Sequence, residues 1–241
     1  MTAKKVAMVT GGARRLGKAI ALALAEHGFN IALHYHHSVD EAQRTADELR
    51  QRGAEVVLVQ GDLSVVREVE RVVDEAAAAW GRLDVLINSA AIFFRTPLGE
   101  VQEEQWDALL TTNLKGPFFC ARRAARAMRP TGGVIVNFAD TGLDMAWKDY
   151  TPYLISKAGI AQMTYGMAKE LAPAIRVNAI APGVVLMQED ATEEQIQRAA
   201  NSTLLRRIGG AESIVDAVLY LVHAEYVTGV VLPVDGGQRW K

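Results

Sequence analysis

Three residues of the chain have the types and spacing for acid–base chemistry: Asp140, Tyr153 and Lys157. Tyr153 and Lys157 are four positions apart in TPYLISKAGI, about one helical turn, so their phenol and ammonium groups would share one face of a helix. A free tyrosine has a pKa of about 10, and a neighbouring fixed cation favours its phenolate form. We therefore expect Lys157 to lower the pKa of Tyr153 and make it a proton donor near pH 7. Because such pairs also arise by chance, their meaning depends on the rest of the chain.

Short β-rich runs alternate with longer amphipathic stretches along the whole sequence. Seven runs are predicted to be strands: VAMVT, FNIALHYHH, EVVLVQGD, LDVLINSA, GGVIVNFA, IRVNAIAPG and VTGVVLPVDGG. Continuous apolar strands that alternate with helices indicate a parallel sheet covered on both faces. The sequence therefore predicts an α/β, doubly wound Rossmann fold with a seven-stranded sheet. No linker divides residues 1–241, so we expect a single domain.

Two regions between the predicted strands, residues 103–128 and 184–210, have patterns of their own. Residues 103–128 are predicted to form one long helix. Residues 184–210 are polar, carry no strand signal and are predicted to cover the substrate site. Their acidic side chains are expected to be solvated, with contact to a substrate amine as the alternative. These acidic residues are Glu189, Asp190, Glu193 and Glu194.

Composition excludes several classes of protein. The net charge of −2 provides no basic field for nucleic acid. No stretch approaches the roughly 20 apolar residues of a membrane span, and the apolar run near the N-terminus is too short for a signal peptide. The single cysteine, Cys120, cannot form an intrachain disulfide. We therefore expect a cytoplasmic protein that acts on a small molecule and binds neither nucleic acid nor membrane.

The stretch TGGARRLGKAI, residues 10–20, joins the first strand to the first helix. Gly11 and Gly12 would permit positive φ angles and close backbone approach, and Gly17 would let the helix pack against the strand. The helix N-terminus would then present N–H groups and partial positive charge to a phosphate. This pattern predicts a dinucleotide site, with a ligand-free βα turn as the alternative.

The residues around this turn favour NADP(H) over NAD(H). An acidic residue about 20 positions after the glycines typically holds the NAD ribose, whereas a basic residue accommodates the NADP phosphate. The matching segment, residues 34–38, reads HYHHS and contains no carboxylate, while Arg14 and Arg15 stand at the helix start. Two cations there oppose the helix dipole unless an anion binds. The alternative is that both arginines are merely solvated.

Three histidines and one aspartate lie in the segments at the ends of the second and third predicted strands. His34 and His36 would share one face of a strand, which makes a zinc site conceivable. No third ligand is near in sequence, so we expect no metal and assign the histidines to packing or adenosine–phosphate contacts. Asp62, in the turn after the third strand, could hold an adenine amine or cap the helix that begins near Ser64.

Taken in order, these motifs resemble the short-chain dehydrogenase/reductase family. The matching segments are TGGARRLG, GDLS, INSAA, TTNLKGPF, YLISK, IRVNAIAPG and VDGG. The resemblance implies that Asn113 belongs to a proton relay, that Tyr153 donates a proton and that Lys157 holds the nicotinamide ribose. It also implies a homotetramer in which the helices at 103–128 and 152–171 pack across subunits.

The same resemblance gives a set of cofactor-binding residues. They are Gly11, Arg14, Arg15, Leu16, His36, His37, Ser38, Asp62, Leu63, Ser89, Ala90, Lys157, Pro182 and Gly183. Pro182 and Gly183 would line the nicotinamide.

Three departures from the family pattern resemble pteridine reductases within it. Arg15 replaces the middle glycine of the turn, Asp140 replaces the catalytic serine, and NSAA runs into IFFRTPL. By this resemblance Phe93 would stack on a pterin ring, and Arg15 would lie between the pterin and the cofactor phosphates. The predicted substrate-binding residues are thus Arg15, Phe93, Asp140 and Tyr153. His37 stands where these relatives carry an arginine, and Arg14 is the candidate to share its role.

The chemistry of Asp140 favours the same subgroup. A carboxylate would repel the developing alkoxide of a ketone, whereas reduction of a C=N bond needs a proton on nitrogen and benefits from a nearby anion. We therefore predict an NADPH-dependent reductase of pterins or dihydropterins, with dihydrofolate as a further candidate.

Alternatives remain at the level of function and of single residues. The chain could be a ketone reductase such as a 3-oxoacyl-carrier-protein reductase, or a non-catalytic nucleotide-binding regulator. Asp140 could merely cap a turn, Phe93 could pack beside Phe94, and Asn113 could mark a helix kink.

Overall fold

A computed structural model describes residues 4–188 and 190–241 of the chain. Its centre is one parallel sheet of seven strands in the order β3-β2-β1-β4-β5-β6-β7. The strands are β1 (Val6–Val9), β2 (Asn30–Tyr35), β3 (Val56–Gln60), β4 (Val85–Asn88), β5 (Gly133–Phe138), β6 (Ile175–Pro182) and β7 (Val231–Val234). The predicted seven-stranded, doubly wound single domain is confirmed.

Helices cover both faces of this sheet. They are α1 (Arg15–Glu26), α2 (Val39–Gln51), α3 (Val66–Ala78), α4 (Glu103–Leu110), α5 (Gly116–Met128), α6 (Thr151–Leu171), α7 (Glu193–Asn201) and α8 (Gly210–His223). Alternate residues of a strand pack into two separate hydrophobic cores, one on each face of the sheet, because successive side chains of a strand point to opposite faces. In β1, Ala7 and Val9 pack with apolar residues of α1 and α8, whereas Val6 and Met8 pack with those of α3 and α5.

The strand order reverses between β1 and β4. Ligands of open α/β sheets bind outside the carboxyl ends of the strands at such a point. The glycine turn follows β1, and the NSAA segment follows β4, so both predicted cofactor segments meet there. The fold thereby brings together segments about 75 residues apart in sequence.

The predicted helix over residues 103–128 is interrupted in the structure. Between α4 and α5 the chain forms a π-helical turn, Thr111–Lys115, with Asn113 buried at its middle. Gly116 begins α5 directly after this turn, and a β-carbon there would come within 2.6 Å of the Leu63 carbonyl oxygen. π-turns inside helices are frequent at functional sites.

Residues 184–210 contain one helix that the sequence prediction missed. α7 begins with a capping box in which Thr192 and Gln195 bond each other's backbone N–H groups. None of its residues is buried. The two ends of the segment meet, because the Gly209 N–H donates to the Val184 carbonyl at 3.1 Å.

The acidic residues of this segment mostly match the expectation of solvation. Asp190, Glu193 and Glu194 are exposed, and Glu194 pairs with Arg198 at 2.9 Å. Glu189 lies outside the described residues. Among the helices that the structure describes, none has the length and apolar character to cross a membrane.

Candidate active site

Asp140, Tyr153 and Lys157 meet at the carboxyl edge of the sheet. Asp140 follows β5 by two residues, and the other two lie on the first two turns of α6. The Tyr153 hydroxyl donates to Asp140 Oδ2 at 2.8 Å. Lys157 Nζ donates to the Phe138 carbonyl at 2.8 Å and lies 5.8 Å from the centre of the Tyr153 ring. The three predicted acid–base groups therefore form one cluster.

Asp140 also bonds its own backbone neighbourhood. Its Oδ1 accepts from the Gly142 N–H at 2.7 Å, so the carboxylate caps the short 3-10 turn Thr141–Leu143. The local capping that the sequence left as an alternative is thus present. It coexists with the Tyr153 bond, because each carboxylate oxygen serves one donor. The turn holds Asp140 in place and leaves Oδ2 for the phenol.

The electrostatics of this cluster differ from the sequence prediction. Burial raises the pKa of Tyr153, and the charge of Asp140 and its hydrogen bond raise it further. The expected lowering of this pKa by Lys157 is therefore wrong in this structure. The physical reason is that desolvation and an adjacent carboxylate both favour the neutral phenol. Tyr153 keeps its proton at neutral pH and shares it with Asp140.

Burial shifts the other two groups of the cluster as well. It raises the pKa of Asp140, although the Gly142 N–H, the Tyr153 hydroxyl and the Lys157 charge act in the opposite direction. Burial lowers the pKa of Lys157 to about 8, and the charge of Asp140 offsets part of this change. Within this cluster Lys157 can therefore exchange its proton near neutral pH, whereas Tyr153 stays protonated.

Asn113 uses its side chain to fasten the loop after β4. Its Oδ1 accepts from the Ile92 N–H, and its Nδ2 donates to the Ile92 carbonyl, both at 2.8 Å. Nδ2 also lies 3.5 Å from the Ser156 hydroxyl. The side chain therefore joins the π-turn, the β4 loop and α6, in agreement with the alternative that Asn113 marks a helix irregularity. A role in a proton relay stays a prediction.

The Tyr153 ring belongs to an aromatic group whose other members are Phe93, Trp147 and Tyr150. Phe93 stacks on Tyr150 with ring centres 4.7 Å apart and meets Tyr153 edge-on at 4.8 Å. Trp147 lies 6.3 Å from Tyr153 in a nearly parallel orientation. About half of the Phe93 side chain is exposed, so an aromatic surface remains open beside the phenol.

The sequence prediction found only two members of this aromatic group. Trp147 and Tyr150 were missed, although Trp147, Tyr150 and Tyr153 follow one another at intervals of three residues, which was a usable signal. Arg95 pairs with the Asp149 carboxylate, and the Thr96 N–H donates to the Asp149 carbonyl at 2.6 Å. These bonds dock the Phe93 loop on the Tyr150 loop.

A cleft of about 420 Å³ lies along the glycine turn and reaches the loop after β4 as far as Ile92. Eleven of the fourteen predicted cofactor residues line it. They are Gly11, Arg14, Arg15, Leu16, His36, His37, Ser38, Asp62, Leu63, Ser89 and Ala90. The remaining three are Lys157 in the acid–base cluster and Pro182 with Gly183 at the end of β6.

The glycine turn has the close packing that a phosphate cradle requires. Gly11 has φ of +64°, and a β-carbon there would lie 3.0 Å from Ala90. A β-carbon on Gly17 would lie 2.3 Å from the Gly11 carbonyl oxygen, so Gly17 packs on the turn itself. Gly12 does not need a positive φ, and its constraint is the Leu33 side chain 2.5 Å from its missing β-carbon.

The helix that follows is suited to an anion. The first turn of α1 contains no acidic residue, and Arg14 is its N-cap residue. Arg15 adopts φ of +50°, the left-handed region in which glycine is favoured. This arginine, in place of the glycine that the family resemblance implies, therefore occupies a strained backbone position. The positive groups and the tight turn together fit a dinucleotide phosphate.

His34 has a structural role that the sequence did not specify. Its Nδ1 accepts from the Gly11 N–H at 3.2 Å, and its Nε2 lies 3.0 Å from the Gly61 carbonyl. Burial lowers its pKa to about 4. A neutral imidazole with its proton on Nε2 satisfies both partners, so His34 fastens the glycine turn to the end of β3.

Asp62 serves the turn that precedes α3. Its Oδ1 accepts from the Ser64 N–H at 2.8 Å, which supports the capping alternative. Although burial raises the pKa of Asp62, the Ser64 hydrogen bonds and the nearby His36 and His37 keep it below the usual value. Across residues 4–188 and 190–241, no group of three or more potential ligands could hold a metal ion.

The 184–210 segment reaches the cleft through its backbone. Arg15 Nη2 donates to the Met187 carbonyl at 3.3 Å. Val184 donates its N–H to Gln238 at 3.0 Å, and Gly183 donates to the Val234 carbonyl at 3.0 Å. The segment therefore rests between the glycine turn and the C-terminal residues, next to the predicted nicotinamide position.

Comparisons with known proteins agree with this arrangement. A family model described as Enoyl-(Acyl carrier protein) reductase matches residues 11–239. The chain is 34% identical to the 3-oxoacyl-(acyl-carrier-protein) reductase FabG of Staphylococcus aureus, with 98% of this chain and 99% of that protein covered.

Two solved structures have the same architecture. A substituted short-chain dehydrogenase/reductase of Serratia marcescens is 32% identical with a TM-score of 0.92 and covers 98% of both chains. A Sinorhizobium meliloti protein described as a short-chain alcohol dehydrogenase is 35% identical with a TM-score of 0.91 and covers 97% of this chain and 96% of that one. The chain belongs to the short-chain dehydrogenase/reductase family of nicotinamide-dependent oxidoreductases.

Proposed function

We propose that the chain is an NADPH-dependent reductase that acts on the C=N bond of pterins or dihydropterins. The observation that carries this proposal is the 2.8 Å bond between the Tyr153 hydroxyl and Asp140 Oδ2. A buried carboxylate at this place disfavours an alkoxide and favours a ring that bears N–H groups or positive charge. Because one fold hosts many functions, the substrate must be inferred from site residues such as Asp140.

The cofactor would lie along the cleft at the glycine turn, with its nicotinamide end toward the cluster. Gly11 and the start of α1 would bind the phosphates, Ser89 and Ala90 would border the nucleotide, and Lys157 would bond the ribose. When bound, the nicotinamide supplies a hydride to a ring carbon of the substrate. NADP(H) is proposed over NAD(H) because residues 34–38 contain no carboxylate.

The aromatic group offers a slot for a flat heteroaromatic ring. Phe93 presents a half-exposed face next to the phenol, and Trp147 and Tyr150 hold that region in place. Aromatic faces bind flat rings in offset or edge-on arrangements. Asp140 would accept from ring N–H groups, and Arg15 would close the opposite side of the slot. Residues 184–210 would cover the bound substrate.

The proton that C=N reduction requires would come from the Tyr153–Asp140 pair. Tyr153 remains protonated at neutral pH because of burial and the Asp140 charge. As the substrate nitrogen gains electrons, the phenol gives up its proton, directly or after exchange with Asp140. The Lys157 cation, 5.8 Å from the ring centre, would then stabilise the phenolate until water returns the proton.

A ketone reductase is the second candidate function. The similarity of the chain to a 3-oxoacyl-(acyl-carrier-protein) reductase, at 34% identity, favours it. Asp140 argues against it on electrostatic grounds. The two functions therefore differ in the effect of the Asp140 carboxylate, which would repel a developing ketone alkoxide but would accept hydrogen bonds from a ring that bears N–H groups.

A substrate panel tests the proposal directly. Purified protein with NADPH is offered dihydrobiopterin, dihydromonapterin, dihydrofolate and a 3-oxoacyl thioester, and loss of the cofactor absorbance is followed. We expect turnover of at least one dihydropterin with a kcat/KM at least about tenfold above that for the thioester. The opposite ranking would replace the proposal with the ketone reductase.

A Phe93→Leu variant sharpens this test. Loss of the aromatic face is expected to raise KM for the pterin by about tenfold and to leave nucleotide binding unchanged. Phe94→Leu, one residue further along the same loop, is the matched control and should keep the wild-type KM. Equal effects of both variants would indicate ordinary loop packing.

We further propose that the chain forms a homotetramer through α4, α5 and α6. These helices expose Trp106, Phe118, Ile155 and Tyr165. A groove of about 410 Å³ between α5 and α6 is lined partly by Met163 and Met167. Light scattering should give about four times the chain mass, and Phe118→Glu should lower it.

A further inference from the structure

Asp149 joins the two loops that carry most of the aromatic group. These loops are residues 91–97, which follow β4, and residues 144–150, which precede α6. The Thr96 N–H donates to the Asp149 carbonyl at 2.6 Å, and the Thr96 hydroxyl donates to the same oxygen at 3.4 Å. The Arg95 guanidinium pairs with the Asp149 carboxylate. We call these three residues the loop clasp.

The backbone of Asp149 is strained. Its φ of +70° lies in the left-handed region in which glycine is favoured. The Tyr150 N–H donates to the Trp147 carbonyl at 3.4 Å, which closes a four-residue turn with Asp149 at the third position. A turn that needs a positive φ at this position usually has glycine there. The turn therefore does not require a carboxylate, and strained residues of this kind cluster at active sites and ligand clamps.

Folding stability does not account for the clasp either. The Arg95 side chain is 66% exposed, whereas that of Asp149 is 13% exposed. An ion pair with one partner so open to water contributes little to stability, because solvent screens it and both side chains lose freedom. The backbone strain of Asp149 opposes even this contribution. We therefore expect the clasp to act on the position of the loops.

The clasp is one of two anchors of the Phe93 loop. The other is Asn113, whose side chain bonds both the N–H and the carbonyl of Ile92 at 2.8 Å. Phe93 lies between Ile92 and the buried Thr96, with one face stacked on Tyr150 at 4.7 Å and an angle of 3° between the rings. The clasp thereby sets how the Phe93 ring lies on the opposite loop and where its exposed part faces.

We propose that Arg95 and Asp149 are positioning residues for the substrate, because their clasp holds Phe93 against Tyr150 and fixes the surface on which a flat heteroaromatic ring binds. This inference rests on the proposed function, since it takes the aromatic group as the substrate slot. Neither residue has to touch substrate or cofactor. Phe93 would contact the ring equally in the ground state and the transition state, so loss of the clasp weakens binding and leaves the chemical step unchanged.

Kinetics of two single variants and their combination test the pair. Arg95→Met removes the cation, and Asp149→Gly removes the carboxylate while keeping the carbonyl that Thr96 uses. With saturating NADPH and the best dihydropterin of the panel, we expect KM to rise about fivefold in each and kcat to stay within about twofold. The double variant should also show a rise of about fivefold, because both residues act through one contact; independent effects would multiply.

Thermal unfolding and hydrogen exchange separate positioning from folding. Asp149→Gly should keep or raise the Tm of the wild type, since glycine relieves the positive φ. A merely structural role would instead lower Tm and kcat together. In the free protein, backbone amides of residues 91–97 should exchange at least about threefold faster in Arg95→Met.

Two further variants serve as rescue and control. Arg95→Lys retains a cation and should bring KM to within about twofold of the wild type. Lys148→Met removes an exposed cation from the same loop, next to Asp149 in sequence, and should leave KM, kcat and exchange unchanged.

Contrary outcomes distinguish this inference from the proposed function. An unchanged pterin KM in Arg95→Met and Asp149→Gly, or a loss of Tm in step with kcat, overturns the positioning role and leaves the proposed function intact. A wild-type protein that turns over no pterin overturns the proposed function and this inference with it.

Discussion

The glycine-turn end and the acid–base end of the candidate site are built on different physical principles. At the glycine turn, backbone geometry forms the site, and its charged side chains, such as Arg14, lie in solvent. At the acid–base cluster, Asp140, Tyr153 and Lys157 are largely buried, and all three pKa values are shifted by burial. Changes at the first end should alter binding modestly, whereas changes at the second should alter chemistry strongly.

The largest expected effect is that of Tyr153→Phe. It removes the proposed proton donor and keeps the ring beside Phe93, so we expect kcat to fall by about 10²- to 10⁴-fold with nucleotide binding unchanged. Tyr150→Phe is the matched control, because it removes a hydroxyl from a neighbouring ring of the same aromatic group. Steady-state kinetics on the best pterin of the panel give the comparison. Retained activity in Tyr153→Phe would show that Asp140 alone supplies the proton.

The next effect is that of Asp140→Asn, which removes the charge and nearly keeps the shape. The charge of Asp140 raises the pKa values of both Tyr153 and Lys157. Removing it should lower both, and the alkaline limb of the pH–rate profile, set near pH 8 by Lys157, should move to lower pH. We also expect kcat/KM for the pterin to fall by about 100-fold, since one buried charge-assisted hydrogen bond is lost. An alkaline limb that does not move would indicate that Asp140 is electrostatically isolated from the pair.

The two ends also differ in what the sequence could predict. The strands and the glycine turn follow from local patterns, and the structure agrees with both. The raised pKa of Tyr153 could not be predicted, because it depends on burial and on a carboxylate 13 positions away. The π-turn at Asn113 depends on a long-range partner, Ile92, in the same way. α7 was missed for lack of a buried face, although its Thr192–Gln195 capping box was readable.

A third prediction concerns stability at the cofactor end. The pKa of His34 is about 4 in the folded chain and about 6.5 when unfolded, so the unfolded state binds more protons between these values. Stability should therefore be complete above pH 6.5 and fall by about 3 kcal/mol as pH drops toward 4. Urea unfolding at pH 7 and pH 4.5 measures the loss. His34→Gln can make the same two hydrogen bonds without titrating and should reduce the difference between the two pH values.

The smallest expected effect is that of Arg15→Gly, which separates strain from binding. Arg15 has φ of +50°, and glycine would relieve that strain at some cost in unfolded-state entropy. We expect a net gain of up to about 1 kcal/mol in unfolding free energy together with about tenfold weaker NADPH binding. Arg14→Gly, at an extended backbone position, should show no such gain. A stability loss in Arg15→Gly would indicate that its bond to Met187 matters more than the strain.

The most direct test of the central claim is the substrate ratio of Asp140→Ser. The claim is that a carboxylate bonded to the phenol of Tyr153 selects nitrogen-bearing rings over ketones. The measurement is kcat/KM for a dihydropterin divided by that for a 3-oxoacyl thioester, in the wild type and in the variant. We predict a wild-type ratio above about ten and a fall of at least about 100-fold on substitution. A wild type that prefers the thioester, or a ratio unchanged by serine, would contradict the account.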